Sequence, residues 1–388
     1  MTAPQPSTFH RGIVKQILSG DSVVIRGQPK GGPPPEKTLI LSNITAPKLG
    51  RRATTTLEET KDEPFAWECR EFLRKKLVGE NVFFTLEKAP NTTREYGTII
   101  VGKVFYDLLT DPVSGENIIE ALVAEGLVGV RVRDASRPTA EQARLLEIEK
   151  QAQASGKGRW APGHVNLGSE DAANHVRDVK WNIENMRQFV DRCDGKPMKA
   201  VVEHVRDGST VRAFLLPDFY HITLMISGIR CPQTKMENNP ESASQPYGDE
   251  AKFFTEIRLL QQDVEIILES VNNNNFVGSI VHPKGNIAES LLSEGFAHCV
   301  DWSMAMMASG ADKLRAAERQ AKEARKRRWR DWTPGAAATL TGKEREFTGV
   351  VMEVVNADAL VLKLASGTFK KVFLASIRPP RSPLKKFV

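Results

Sequence analysis

Two short apolar runs hinged on a polar tetrapeptide recur three times along the chain. In residues 12–25, Val14, Ile17 and Leu18 precede the hinge Ser19-Gly20-Asp21-Ser22, and Val23, Val24 and Ile25 come after it. β-Branched residues flanking Gly-Asp predict a hairpin. Residues 200–211 repeat the pattern around Asp207-Gly208-Ser209-Thr210, and residues 349–361 repeat it around Asn356-Ala357-Asp358-Ala359.

Downstream of the first two hinges the pattern is shared as well. Leu39-Ile40-Leu41 predicts a strand, and Phe65, Cys69, Phe72, Leu73 and Leu77 have the spacing of one helix face, closed by Gly79. Strands over 82–86 and 96–104, a short helix over 117–126 and a longer one over 139–154 come next, then Trp160. Phe253, Phe254, Ile257 and Leu260 begin the same series again, which ends at Trp329. Gly126 and Gly295 are 169 positions apart. That exceeds the roughly 20–50-residue period of a solenoid, so the pattern predicts domain duplication. Short strands with about three helices per unit predict an α+β chain of tandem OB-type β-barrels with added helices. The expected divisions are a tail (1–11), a first barrel domain (12–161), a connector (162–196), a second barrel domain (197–333) and an incomplete third (334–388). The third offers three strands with open edges and no helix.

Bulk properties narrow the function classes. The 388 residues are 40% hydrophobic and 26% charged, as in an ordinary globular protein. An excess of 54 basic over 48 acidic residues gives +6, and the pI is about 9.0. That balance suits a nucleic-acid partner, and a solvated surface explains it equally well. Cys69, Cys193, Cys231 and Cys299 have no CxxC spacing, which counts against a zinc site or a disulfide framework and predicts a reducing compartment, cytoplasmic or also nuclear. No apolar run approaches the roughly 20 residues of a membrane span, so no membrane partner is expected.

The series is hairpin, strand ending in Ile-x-x-Pro, helix, strand, Asn-Ile-x-Glu-x-Leu-x-x-Glu-Gly, helix, Trp. It resembles the staphylococcal (micrococcal) nuclease family, and the phrases REFLRKKL and EHVRDGSTVRAFLLPDFY look like its tandem-repeat Tudor staphylococcal nuclease members. The resemblance implies nuclease-like OB domains and calcium-dependent endonuclease activity on RNA, including double-stranded or small RNA. It also implies a place in RNA processing and silencing assemblies, with ribonucleoprotein partners.

In that family two carboxylates hold Ca²⁺, a third handles the attacking water, and two arginines neutralise the phosphorus centre. The first repeat keeps only the hinge acid, Asp21, with Ile40, Thr45, Lys48 and Thr98 at the other positions. The second has Ser209 at the hinge beside Asp207, and Met225, Arg230, Gln233 and Ser279 elsewhere. The third keeps Asp358 but has Phe373, Arg378 and Arg381. No repeat retains the set, so the residual catalytic candidates are Asp21, Asp207 and Asp358. Asp21 is a weak metal ligand by itself, and one carboxylate serves a turn as readily.

The replacements Lys48, Arg230, Arg378 and Arg381 place cations where a metal would sit, and these could bind phosphate directly. Drift at a lost site is the competing explanation. Arg70, Arg74, Lys75 and Lys76 on the amphipathic helix, and Lys30 in a Gly/Pro-rich loop, extend the basic set. Arg325-Lys326-Arg327-Arg328 reads mainly as a helix C-terminal cation cluster. Phe214, Phe219 and Tyr220 suit base stacking or packing equally, while Trp160 and Trp329 read as buried anchors. Three functions remain open: an RNA-binding protein with a degenerate catalytic set; a calcium-dependent endoribonuclease whose non-standard site joins Asp21, Glu36, Asp207 or Asp218; and a protein-interaction scaffold or transcriptional coactivator.

Overall fold

The computed structural model describes residues 9–28, 33–88, 92–102, 104–105, 108–109, 115–132, 137–161, 173–235, 243–307, 309–333, 348–356, 359–364, 367 and 369–374. The chain forms two compact units, Met1–Arg330 and Asp331–Val388. The first contains both complete repeats.

In the second repeat, Met198–Asp207, Thr210–Leu215, Tyr220–Ile226, Asn275–Val281 and Asp263–Asn272 close a barrel in that order. The pair Tyr220–Ile226 and Asn275–Val281 is parallel, and the other neighbours are antiparallel. Ile222, Leu224 and Ile226 alternate into the core, the two-residue period of a strand with one buried face. The first repeat runs through the same cycle in His10–Ser19, Ser22–Arg26 and Glu36–Leu41, with Glu95–Gly97 parallel to the third strand and Asn81–Phe84 returning to the first. Its last two strands are interrupted, giving an eight-stranded sheet. The strand expected over 96–104 is therefore in pieces: Glu95–Gly97, Ile99–Val101 and Val104–Phe105. At the first break Thr98 N–H turns aside to Thr85 Oγ1, at 3.0 Å.

Helix Ala66–Leu77 buries Cys69, Leu73 and Leu77, one turn apart, against the first barrel. It lies so close to the hairpin that a Cβ on Gly20 would overlap Cys69 Sγ and Ala46 Cβ. A Cβ on Gly208 would be equally confined, 2.8 Å from Cys231 Sγ and 2.9 Å from Ala251 Cβ. The hinge glycine is thus set by packing in both repeats.

The connector is more ordered than its polar composition predicts. Helix Met186–Cys193 contributes Phe189 and Val190 to the second core. Arg177 is buried, donates to both oxygens of Asp62 at 2.6 and 3.1 Å, and stacks over Trp67 at 4.1 Å from the ring centroid. Three further contacts fasten the repeats together. Arg70 forks onto Glu203, Arg74 reaches Asp263, and Lys15 bridges Glu36 and Glu256.

In the second unit Gly349–Asn356, Ala359–Leu364 and Phe369–Phe373 form an antiparallel meander. Asp358, Arg378, Arg381 and Lys30 lie outside the described residues. Among those described, no helix is long and apolar enough to cross a membrane.

Candidate nucleic-acid interface

The second repeat gathers four of its family-site positions into one cleft of about 340 Å³, lined by Ser209, Met225, Arg230 and Gln233 together with Asp207 and Arg206. Local backbone explains the arrangement. Asp207 caps its own turn, accepting from Ser209 N at 2.9 Å and Ser209 Oγ at 3.1 Å. The buried Ser209 hydroxyl accepts from Cys231 N at 3.1 Å, which ties the hinge to the strand end carrying Arg230. Burial, with Asp207 nearby, pushes the Cys231 thiol well above its usual range and keeps it neutral. Arg206 and Arg230 are both exposed at the rim. Among the described residues neither is in an ion pair.

Two arginines therefore line the cleft against one carboxylate, which is already committed to the turn. Charge-assisted donors of this kind suit an anion, and Arg geometry suits a phosphate. Asn272, Asn273, Asn275 and Trp302 line the same cleft, with the Asn275 amide already donating to Asn273 O at 3.1 Å. The hinge motif alone points neither to them nor to Arg206. Arg206 was recoverable as the neighbour of Asp207, whereas the asparagines reach the cleft through a turn some sixty positions later in the chain.

The family's late position is elsewhere. Ser279 donates to Glu269 Oε1 at 2.8 Å in a separate cleft of about 780 Å³, and Ser227 donates to the other oxygen of Glu269. Burial raises the Glu269 pKa against the opposing pull of the two hydroxyls. Ser42 donates to Glu87 in the first repeat at 3.0 Å, so the serine–glutamate pair is duplicated with the fold.

In the first repeat Asp21 Oδ1 accepts from Ser19 Oγ at 2.7 Å, Thr45 and Lys48 are exposed, and Thr98 is buried. The Lys48 backbone is pinned on both sides by Glu63, whose carboxylate accepts its N–H at 2.8 Å and whose N–H donates to its carbonyl at 2.8 Å. Calcium takes about six to eight oxygen ligands. One turn-bonded carboxylate, one hydroxyl and a lysine do not fit it, nor do Asp207, Ser209 and Arg230. Glu36 is held by Lys15 at 2.6 Å, away from any such role. Among the described residues no three His, Cys, Asp or Glu side chains are grouped to hold a metal ion.

Two expectations change. Arg74 does not face a nucleic acid: it is buried, donating to Gln261 O at 2.8 Å, to both oxygens of Glu71 at 2.7 Å and to Asp263 at 2.7 Å. Arg70 is likewise consumed by Glu203 and Ile17 O, while Lys75 remains exposed. Phe214 and Phe219 pack edge-on against Trp67 and line the box around Arg177. Tyr220 packs on Phe189 at 4.8 Å. In the Arg325–Arg328 cluster Arg325 stays exposed, while Lys326 and Arg327 pair with Glu294, at 2.9 and 2.7 Å, and lower its pKa. Lys157 and Glu125 form the matching pair in the first repeat, at 3.0 Å.

Comparison with known proteins agrees with the duplicated barrels. Residues 38–162 and 223–331 match the family model described as "Staphylococcal nuclease homologue". A Drosophila melanogaster protein, Staphylococcal nuclease domain-containing protein 1, is 56% identical over 97% of this chain and 39% of its own length. Arabidopsis thaliana Ribonuclease TUDOR 2 is 33% identical over 96% of this chain and 42% of its own. The Staphylococcal nuclease domain-containing protein 1 of Schizosaccharomyces pombe is 32% identical over 98% of this chain and 42% of its own. The chain thus spans about two-fifths of the length of these relatives.

Proposed function

Because this chain belongs to the staphylococcal nuclease homologue family, we propose that it is an RNA-binding segment whose second repeat holds phosphate through Arg206 and Arg230, without calcium-dependent hydrolysis. The observation that carries this reading is the cleft itself. Two arginines, neither in an ion pair among the described residues, occupy the rim where the family places metal and phosphate, and the remaining carboxylate caps a turn. RNA is the favoured polymer because an Arabidopsis relative is named a ribonuclease. Asn272, Asn273 and Trp302 in the lining favour an unpaired base beside the phosphate. RNA processing and silencing assemblies, cytoplasmic or nuclear, are the proposed setting.

The test is equilibrium binding of a fluorescent single-stranded RNA across a salt series, with wild type and an Arg206→Ala, Arg230→Ala variant. The reading requires binding that weakens with salt and weakens further in the variant. Equal binding by both proteins would remove the cleft from the interface, and no binding at any salt would favour a protein-interaction scaffold.

A further inference from the structure

The loop after the first repeat's strand end is built from the base upward. Reciprocal backbone bonds join Arg51 and Thr60 at 3.1 Å, and Gly50 N donates to Asp62 at 2.6 Å. Asp62 is itself clamped by Arg177, so the base is rigid. Beyond it every residue from Arg51 to Lys61 is exposed. At the tip Thr54 heads one turn: its N–H donates to Leu57 O at 2.8 Å, and its Oγ1 accepts from Leu57 N at 3.1 Å and Thr56 N at 3.4 Å.

Arg51-Arg52-Ala53 precedes that hydroxyl. Thr54 is the only serine or threonine in the sequence with basic residues at both the third and second positions before it. We propose that Thr54 is a phosphorylation site for a serine/threonine kinase that selects arginine at those positions. The Thr54 hydroxyl attacks the γ-phosphorus of ATP, the bond to the bridging oxygen breaks to release ADP, and the hydroxyl proton passes to the kinase's base. Giving such an enzyme the segment means opening the Thr54 turn and freeing Arg51 from Glu58 O at 3.4 Å and Arg52 from Asn182 at 2.6 Å, all exposed contacts, with no core contact to break.

The charge consequence comes from the loop's composition. Residues 48–63 carry four cations, Lys48, Arg51, Arg52 and Lys61, and four acids, Glu58, Glu59, Asp62 and Glu63. A phosphothreonine adds about −1.5 to −2. The neutral loop carrying Lys48 becomes anionic and repels a polyanion on that side of the first repeat.

The experiment is phosphorylation of the full chain by the purified catalytic subunit of the cyclic-AMP-dependent kinase with ATP, the product located by peptide mass spectrometry. Phosphate on Thr54 is expected. Thr54→Val should abolish it, and Arg51→Ala, Arg52→Ala should slow it about tenfold or more, through loss of the charge-assisted contacts. Phosphate on Thr55 or Thr56 instead, or incorporation unchanged in Thr54→Val, overturns the proposal. A second arm rests on the RNA reading: the phosphorylated chain should bind single-stranded RNA more weakly than the unmodified chain at low salt. If neither form binds RNA, the functional reading fails while the mass spectrum still decides the site.

Discussion

The side-chain amide of Gln261 holds both backbone groups of Ile17, accepting its N–H at 2.7 Å and donating to its carbonyl at 2.8 Å. Gln261 belongs to the second repeat and Ile17 to the first hairpin, 244 positions earlier. Both are fully buried. The pairing completes the hairpin's backbone bonding at an irregularity in its ladder, so the first repeat borrows a partner from the second.

Gln261→Ala should therefore destabilise both repeats together. The buried Ile17 N–H loses its side-chain partner, worth about 1–3 kcal/mol, while Ile17 O keeps only its bond from Arg70 Nε at 3.2 Å. Denaturant unfolding followed by near-UV and far-UV signals should show one shared transition moved to lower denaturant. Two separate transitions would mean that the repeats fold independently.

Arg74 and Arg230 should fall on opposite sides of a stability–binding test. Arg74→Ala leaves the Gln261 carbonyl and Glu71 without their donor, and the expected cost is about 2–4 kcal/mol, discounted from a fully buried pair because Asp263 is largely exposed. RNA affinity of the folded protein should stay within about twofold. Arg230→Ala should leave the unfolding midpoint unchanged, as an exposed residue does, and lower RNA affinity. Calorimetry and binding on the same preparations distinguish the two.

Salt dependence reports the number of phosphate contacts. For a single strand each contact contributes about 0.7 to the slope of log K against log salt. Removing Arg206 and Arg230 should flatten the slope by about 1.4. An unchanged slope with lower affinity would indicate that these residues shape the cleft without touching phosphate.

His221 sets a pH dependence. Burial against Trp181 and Phe214, with Arg212, Arg52 and His204 nearby, lowers its pKa from 6.5 to about 4. The folded chain binds the proton less well than the unfolded one, so stability is complete above pH 6.5 and falls as pH drops toward 4. The loss should approach about 3 kcal/mol. Urea unfolding at pH 7 and pH 4.5 should show it, and His221→Phe should reduce the difference.

The duplicated barrels were legible because their signals are local. A hinge glycine between β-branched runs, a helix with Cys69, Leu73 and Leu77 on one face, and a glycine after each short helix are all read within a few residues. The fate of Arg70 and Arg74 was not legible. Spacing puts both on the polar side of an amphipathic helix, but their burial is created by Glu203, Gln261 and Asp263, far along the chain. Phe214 and Phe219 were equally opaque, since the connector's Arg177 fills the space a base would need. Asp207 shows the intermediate case: its neighbours predict a turn cap, and only the structure shows that Ser209 carries the bond onward to Cys231.

The most direct measurement is cleavage and binding of one labelled structured RNA by this chain, with Ca²⁺ and with EGTA. Wild type is compared with the Asp21→Ala, Asp207→Ala and the Arg206→Ala, Arg230→Ala variants. Salt-sensitive binding that is indifferent to calcium and reduced by loss of the arginines is expected, with no cleavage above a mock preparation. Calcium-dependent cleavage abolished by loss of the aspartates would contradict a cleft that holds phosphate without hydrolysing it.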